Sequence, residues 1–119
     1  MELKHFKLSE FDSPDLPGSG KNMNPDFLKR LDEAREIAGV PFNINSGFRT
    51  SAHNAKVKGK PNSSHLRGYA ADIATKTPSI KFKVLDSLLK VGFDRIGVYS
   101  TFIHVDCDPQ FNEQRCVIW

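Results

Sequence analysis

His65, Asp72 and His104 are the residues whose types point most directly to chemistry. Together they offer imidazole nitrogens and one carboxylate. Zinc accepts both ligand types, and a catalytic zinc keeps three protein ligands and leaves one position for water. His65 and Asp72 lie in the run Ser63-Ser64-His65-Leu66-Arg67-Gly68-Tyr69-Ala70-Ala71-Asp72, and His104 lies in Phe102-Ile103-His104-Val105-Asp106. On residue types alone two readings stand open: a one-ion hydrolytic zinc site, or polar residues satisfied in the ordinary way. Mixed nitrogen and oxygen ligands also admit other divalent ions. His5, in the polar N-terminal stretch, reads as a surface residue.

The elements that would carry these side chains are legible. Tyr69–Ala74 reads as a short buried strand, and small Ala70, Ala71 and Ala74 leave room for a cleft beside Asp72. Gly68 permits a sharp turn after His65. Phe102–Cys107 reads as another strand. Side chains alternate along a strand, so Ile103 and Val105 face the core while Phe102, His104 and Asp106 share the opposite face. Arg95–Tyr99 is a third strand and Cys116–Trp119 a further short one.

Asn24-Pro25 opens a helix, Asn24 capping it and Pro25 taking the first helical position. Phe27, Leu28, Leu31, Ala34, Ile37 and Ala38 form its apolar face, and Gly39 and Pro41 stop it. Phe42–Asn45 alternates as a strand. Residues 48–64 form a long loop holding Arg49 and His53, with a short helix near Ala52–Val57. Thr77-Pro78 opens a second long helix with a Val84, Leu85, Leu88 and Leu89 stripe, closed by Gly92. Residues 1–23 form a loop-rich lead-in that packs Phe6, Leu8 and Phe11 on the body. The order predicts one α+β domain over residues 1–119, a small antiparallel sheet with helices on one side.

Composition agrees. The 119 residues are 39% hydrophobic and 26% charged, as expected of one globular domain, with a formal charge of +3. Lys and Arg are scattered, which argues against a nucleic-acid partner. No stretch approaches a membrane span, and the N-terminus lacks the apolar run of a signal peptide. These features predict cytoplasmic synthesis. Cys107 and Cys116 match no zinc spacing, and read as buried or half-buried thiols or as a disulfide between C-terminal strands.

The segments Ser63-x-His65-x-x-Gly68-x-Ala70-x-Asp72 and His104 resemble the motif of the D-alanyl-D-alanine carboxypeptidase family of zinc peptidases. By fold that family goes with lysostaphin-type enzymes and the hedgehog signalling domain. Ser46-Gly47-Phe48-Arg49-Thr50 is similar to the Ser-Gly-Tyr-Arg segment that precedes the motif. Phe11-Asp12 and Gly20-Lys21-Asn22-Met23 look like the small phage and bacterial members. The similarity spans about residues 6–107.

The resemblance implies one zinc ion on His65, Asp72 and His104, and a peptidoglycan peptide as substrate. The bond would be D-Ala–D-Ala, a cross-bridge bond or L-Ala–D-Glu. It also implies an arginine that holds a substrate carboxylate, here Arg49, since a guanidinium grips a carboxylate through two parallel hydrogen bonds; a surface ion pair is its other reading. Many members place an acidic general base shortly before the distal histidine. Residues 99–103 here contain none. Asp106 is the candidate base, or else the partner that orients His104. His53 is a second candidate for proton transfer near substrate, or only a turn residue. Ser63 either bonds near the ligands or caps a turn. The implied protein is a monomer acting on the cell wall after release or delivery, phage-encoded or bacterial. The rival expectation is a zinc-binding domain of the same fold without turnover.

Overall fold

The computed structural model describes residues 2–119. Helix α1 (Pro25–Ala38) starts where Asn24 Oδ1 accepts the Phe27 N–H at 3.0 Å, and stops at Gly39, whose φ of 67° suits a residue without Cβ. Phe27, Leu28, Leu31 and Ala34 are buried and Ala38 packs on the core, but Ile37 is 49% exposed, because it falls on the flank of α1 shared with Lys29, Glu33 and Glu36. Strand β1 (Ile44–Ser46) follows, then the short helix α2 (Ser51–Lys56), capped by Thr50. Strand β2 is Ala70–Ala74. Helix α3 (Pro78–Lys90) begins where Thr77 Oγ1 accepts the Ile80 N–H. Of its predicted stripe, Val84 and Leu88 are fully buried while Leu89 is exposed. Strands β3 (Arg95–Val98), β4 (Phe102–Asp106) and β5 (Val117–Ile118) complete the chain.

The five strands form one sheet in the order β1-β2-β4-β3-β5. The first four are antiparallel neighbours, as expected, but β5 lies parallel to β3. The sheet is therefore mixed. The physical reason is chain direction. After β4 the chain turns back through residues 107–116 and runs opposite to β4; β3 also runs opposite to β4, so β5, added at the outer edge of β3, lies parallel to it.

Helices α1 and α3 pack against each other and cover one face of the sheet. Phe27, Leu28 and Leu31 of α1 share a core with Val84 and Leu88 of α3 and with Ile73, Ile96, Ile103 and Val105 of the sheet. Burial of these side chains, about 1.5–3 kcal/mol each, drives the packing. The alternation that buries Ile73, Ile103 and Val105 turns Asp72, His104 and Asp106 to the other face.

The lead-in contains two single 3₁₀ turns, Leu8–Phe11 and Ser19–Asn22. Phe6 and Phe11 are buried edge to face at 5.2 Å, while Leu8, at the other end of the turn that buries Phe11, is 41% exposed, against expectation. The Phe11 carbonyl accepts the Phe48 N–H at 2.9 Å, so the lead-in is tied to the segment that follows β1.

Candidate metal centre

Asp72 and His104 stand directly opposite each other on β2 and β4. Their facing side chains bring His104 Nδ1 to 2.9 Å from Asp72 Oδ1. His65 reaches the same oxygen from a 3₁₀ turn, Ser64–Arg67, that lies just before β2. Ser63 Oγ caps this turn by accepting the His65 N–H, and Gly68 ends it with a φ of 77°. A Cβ on Gly68 would also lie 2.3 Å from the Asn22 carbonyl oxygen, so only glycine fits there.

The outer nitrogens fix the rings. His65 Nδ1 lies 2.7 Å from the Gly47 carbonyl. A carbonyl only accepts, so Nδ1 is the donor there, and Nε2 is the atom turned toward Asp72 Oδ1, 3.3 Å away. His104 Nε2 lies 2.8 Å from Asp106 Oδ2, so it too is the donor, and Nδ1 is the atom turned toward Asp72. The three ligand atoms lie within 4.8 Å of one another. Zinc bonds of ~2.0–2.1 Å give tetrahedral edges of roughly 3.3 Å, close to the two N···O separations of 2.9 and 3.3 Å. This donor set, with each histidine held by an outer acceptor, fits a zinc ion.

The electrostatics of the metal-free chain follow the same geometry. Burial pushes the Asp72 carboxyl up, but hydrogen bonds with His104 and His65 outweigh it and hold the group well below the usual carboxylate range. For His104, burial favours the neutral ring, yet hydrogen bonds to Asp106 and Asp72 raise its pKa to about 9. Without a metal, a proton on His104 Nδ1 bridges the two residues.

Three supports were not legible from local pattern. Arg95 Nε donates to Asp106 Oδ1 at 2.8 Å, and its NH1 reaches the Gln114 carbonyl. Asp108, fully buried, accepts from Ser64 Oγ and from Arg67 Nε, both at 2.8 Å, and so ties the His65 turn to the end of β4. Asn54 accepts from Arg49 NH1 at 3.3 Å and donates to the Lys60 carbonyl at 2.9 Å. Nothing in the spacing of Arg95, Asp108 or Asn54 marks them, because each partner comes from another element.

The predicted site residues divide. His65, Asp72, His104, Asp106, Arg49 and Ser63 all line one cleft of about 1070 Å³. Arg49 NH2 is 3.3 Å from Asp72 Oδ2, and its Nε is held by Ser46 Oγ at 2.9 Å. Ser63 acts as the cap of the turn. His53 does not join them. It sits on α2, outside the cleft lining, where its charge adds to hydrogen bonds from Ser13 and Thr50 in lowering the Asp15 carboxyl. The helix turns it toward the lead-in and away from Asp72. Cys107 is half-buried and Cys116 exposed, and both are free thiols, so the pair forms no disulfide.

Among known families, the model described as Peptidase M15 matches residues 4–106. No curated protein matches the chain. Among solved structures, the L-Ala D-Glu endopeptidase ChiX of Serratia marcescens is similar in fold. Its TM-score is 0.61 at 16% identity, over 76% of this chain and 84% of that one.

Proposed function

The chain belongs to the peptidase M15 family, and from that premise we propose that it is a zinc-dependent peptidase acting on peptidoglycan peptides. The observation that carries this reading is the triangle of His65 Nε2, Asp72 Oδ1 and His104 Nδ1 in the wall of an open cleft. Its fold neighbour is an L-Ala D-Glu endopeptidase, which supports the substrate class and puts that bond beside D-Ala–D-Ala and cross-bridge bonds as candidates.

Zinc, when bound, supplies a Lewis acid and a water whose pKa falls toward ~7. The chain's own residues do the rest. Gly47 and Asp106 hold the protons on the outer nitrogens of His65 and His104, which keeps the inner nitrogens aimed at one point. Arg49 lines the cleft beside Asp72 with its guanidinium plane set by Ser46 and Asn54. It orients a substrate carboxylate, which removes part of the entropic barrier. Asp106 has one oxygen on Arg95 and the other on His104. That double engagement favours orientation of His104 over a general-base role.

The missing acid before His104 and the engaged Asp106 favour one second reading, a zinc-binding domain of this fold without turnover. Mass spectrometry of purified muropeptides incubated with zinc-loaded protein separates the two. Cleavage that disappears in His65→Ala supports the peptidase, and the product masses name the bond. A zinc-loaded protein that leaves all stem and cross-linked peptides intact shifts the reading to the binding domain. On the peptidase reading we propose that the protein acts as a monomer at the cell wall after release or delivery.

A further inference from the structure

Segment 107–119 lies outside the span that the family model matches, yet it supplies part of the cleft wall. The register explains how. Ser46 of β1 pairs with Asp72 of β2, Asp72 with His104 of β4, and His104 with Gly97 of β3. Strand β5 continues beside β3 with Arg95 opposite Val117 and Ile96 opposite Ile118, which puts Trp119 next to Gly97. One row across the sheet thus runs from Ser46 through the two metal-ligand candidates to Trp119. Residues in one such row present their side chains on the same face.

Gly97 is the position in that row with no side chain, and the indole uses the space. A Cβ on Gly97 would lie 2.6 Å from Trp119 Nε1 and 2.7 Å from its Cε2. The ring reaches across to His104, with centroids 5.7 Å apart. It is held there by Nε1, which donates to Tyr99 Oη at 2.8 Å. Tyr99 in turn stacks flat on Phe102, centroids 4.6 Å apart and planes 8° from parallel. Trp119 remains 46% exposed and Tyr99 42% exposed, and both line the cleft with Phe102. The indole donor is already satisfied, so the exposed part of the ring offers an apolar face.

We propose that Trp119, seated on Gly97 and braced by Tyr99, is a substrate-binding wall of the metal cleft that takes an apolar C–H face of the substrate. This rests on the peptidase reading and adds a subsite to it. An aromatic face of this kind binds C–H groups through area burial, and the one cation beside it, the Arg95 guanidinium 5.4 Å from the ring centroid, is already committed to Asp106. Two parts of a muropeptide offer such a face, an alanyl methyl and a sugar ring.

Trp119 is the chain's single tryptophan, so its emission reports on this wall alone. The test follows that emission in zinc-loaded protein as free stem tetrapeptide and disaccharide-tetrapeptide are added separately. Steady-state hydrolysis is measured beside it for wild type, Trp119→Ala, Tyr99→Phe and Gly97→Ala. A saturable change in emission is expected, with KM raised about tenfold in Trp119→Ala and kcat moved much less. Gly97→Ala, which keeps the tryptophan but displaces it, shifts KM in the same direction, and Tyr99→Phe does so more weakly while keeping the fold. A response to the free tetrapeptide identifies the methyl source, and a response that needs the disaccharide identifies the sugar. Unchanged emission at saturation, or an unchanged KM in Trp119→Ala, overturns the proposal. If no muropeptide is cleaved, the peptidase reading fails. The wall is then judged by emission alone, a saturable change keeping it and its absence ending it.

Discussion

Arg95 donates from Nε to Oδ1 of Asp106 at 2.8 Å across β3 and β4, in a pair that is almost wholly buried. The other oxygen of the same carboxylate holds His104 Nε2. Asp106 is thereby locked between a cation and a metal-ligand candidate, on the cleft-facing side of the sheet.

The lock separates two roles for Asp106. As the residue that orients His104, its replacement in Asp106→Asn weakens zinc affinity about 10–100-fold, the usual effect of losing a partner behind a metal-bound histidine. Competition with a calibrated chelator reads this directly. Unchanged zinc affinity with a collapse of kcat would return Asp106 to the role of general base.

Zinc held by His65, Asp72 and His104 stabilises the fold by mass action. Free zinc at a hundredfold excess over Kd adds about 2.7 kcal/mol, so chelation lowers Tm in the wild type. Asp72→Asn loses stoichiometric zinc and shows the same Tm with and without chelator. A zinc-dependent Tm that survives in Asp72→Asn places the ion elsewhere.

Asp108 links stability to pH. Burial pushes its carboxyl up, but hydrogen bonds from Arg67, the Gln110 N–H and Ser64 prevail and hold it below the usual value. A group whose pKa is lower folded than unfolded contributes fully above the unfolded value of ~3.9, and the contribution drains away as pH falls through the folded value. Urea unfolding across pH 2–7 should therefore show acid destabilisation, partly flattened in Asp108→Asn. At pH 7 that substitution costs about 2 kcal/mol, the scale of hydrogen bonds to a charged group. An identical pH slope in the two proteins contradicts the assignment.

Gly68→Ala forces a side chain into left-handed backbone against the Asn22 carbonyl. It costs more than ~1 kcal/mol, since the native conformation is closed to alanine. The turn carrying His65 shifts with it, so zinc affinity falls alongside Tm. Calorimetry and zinc titration on the same sample check both, and a lower Tm with intact zinc binding would uncouple the turn from the site.

The two thiols differ in reach. Cys116 is exposed, whereas burial pushes the Cys107 thiol up to about 11. The thiolate is the reactive form, so alkylation at pH 8 labels Cys116 first and leaves Cys107 slow until unfolding. Two equally fast equivalents in the native protein would show that Cys107 is open to solvent.

Much of this protein was legible before any coordinates. Asn24, Thr77 and Gly39 mark helix ends because capping acts within a few residues of the chain. The alternation in Phe102–Asp106 put His104 and Asp106 on one face and Ile103 and Val105 on the other. The spacing of Ser63, His65, Gly68, Asp72 and His104 carried the resemblance to zinc peptidases. Such signals are local, or are read as a pattern, and need no knowledge of strand order. What the tertiary structure decided depends on that order. Only once β4 is flanked by β2 and β3 does Arg95 face Asp106, and only once β5 joins the outer edge of β3 does Trp119 reach His104 over Gly97. His53 looked available in a loop, and the direction of α2 took it away. Contacts between residues on different elements are set by which edges and faces remain free during packing, and no short stretch of sequence encodes that.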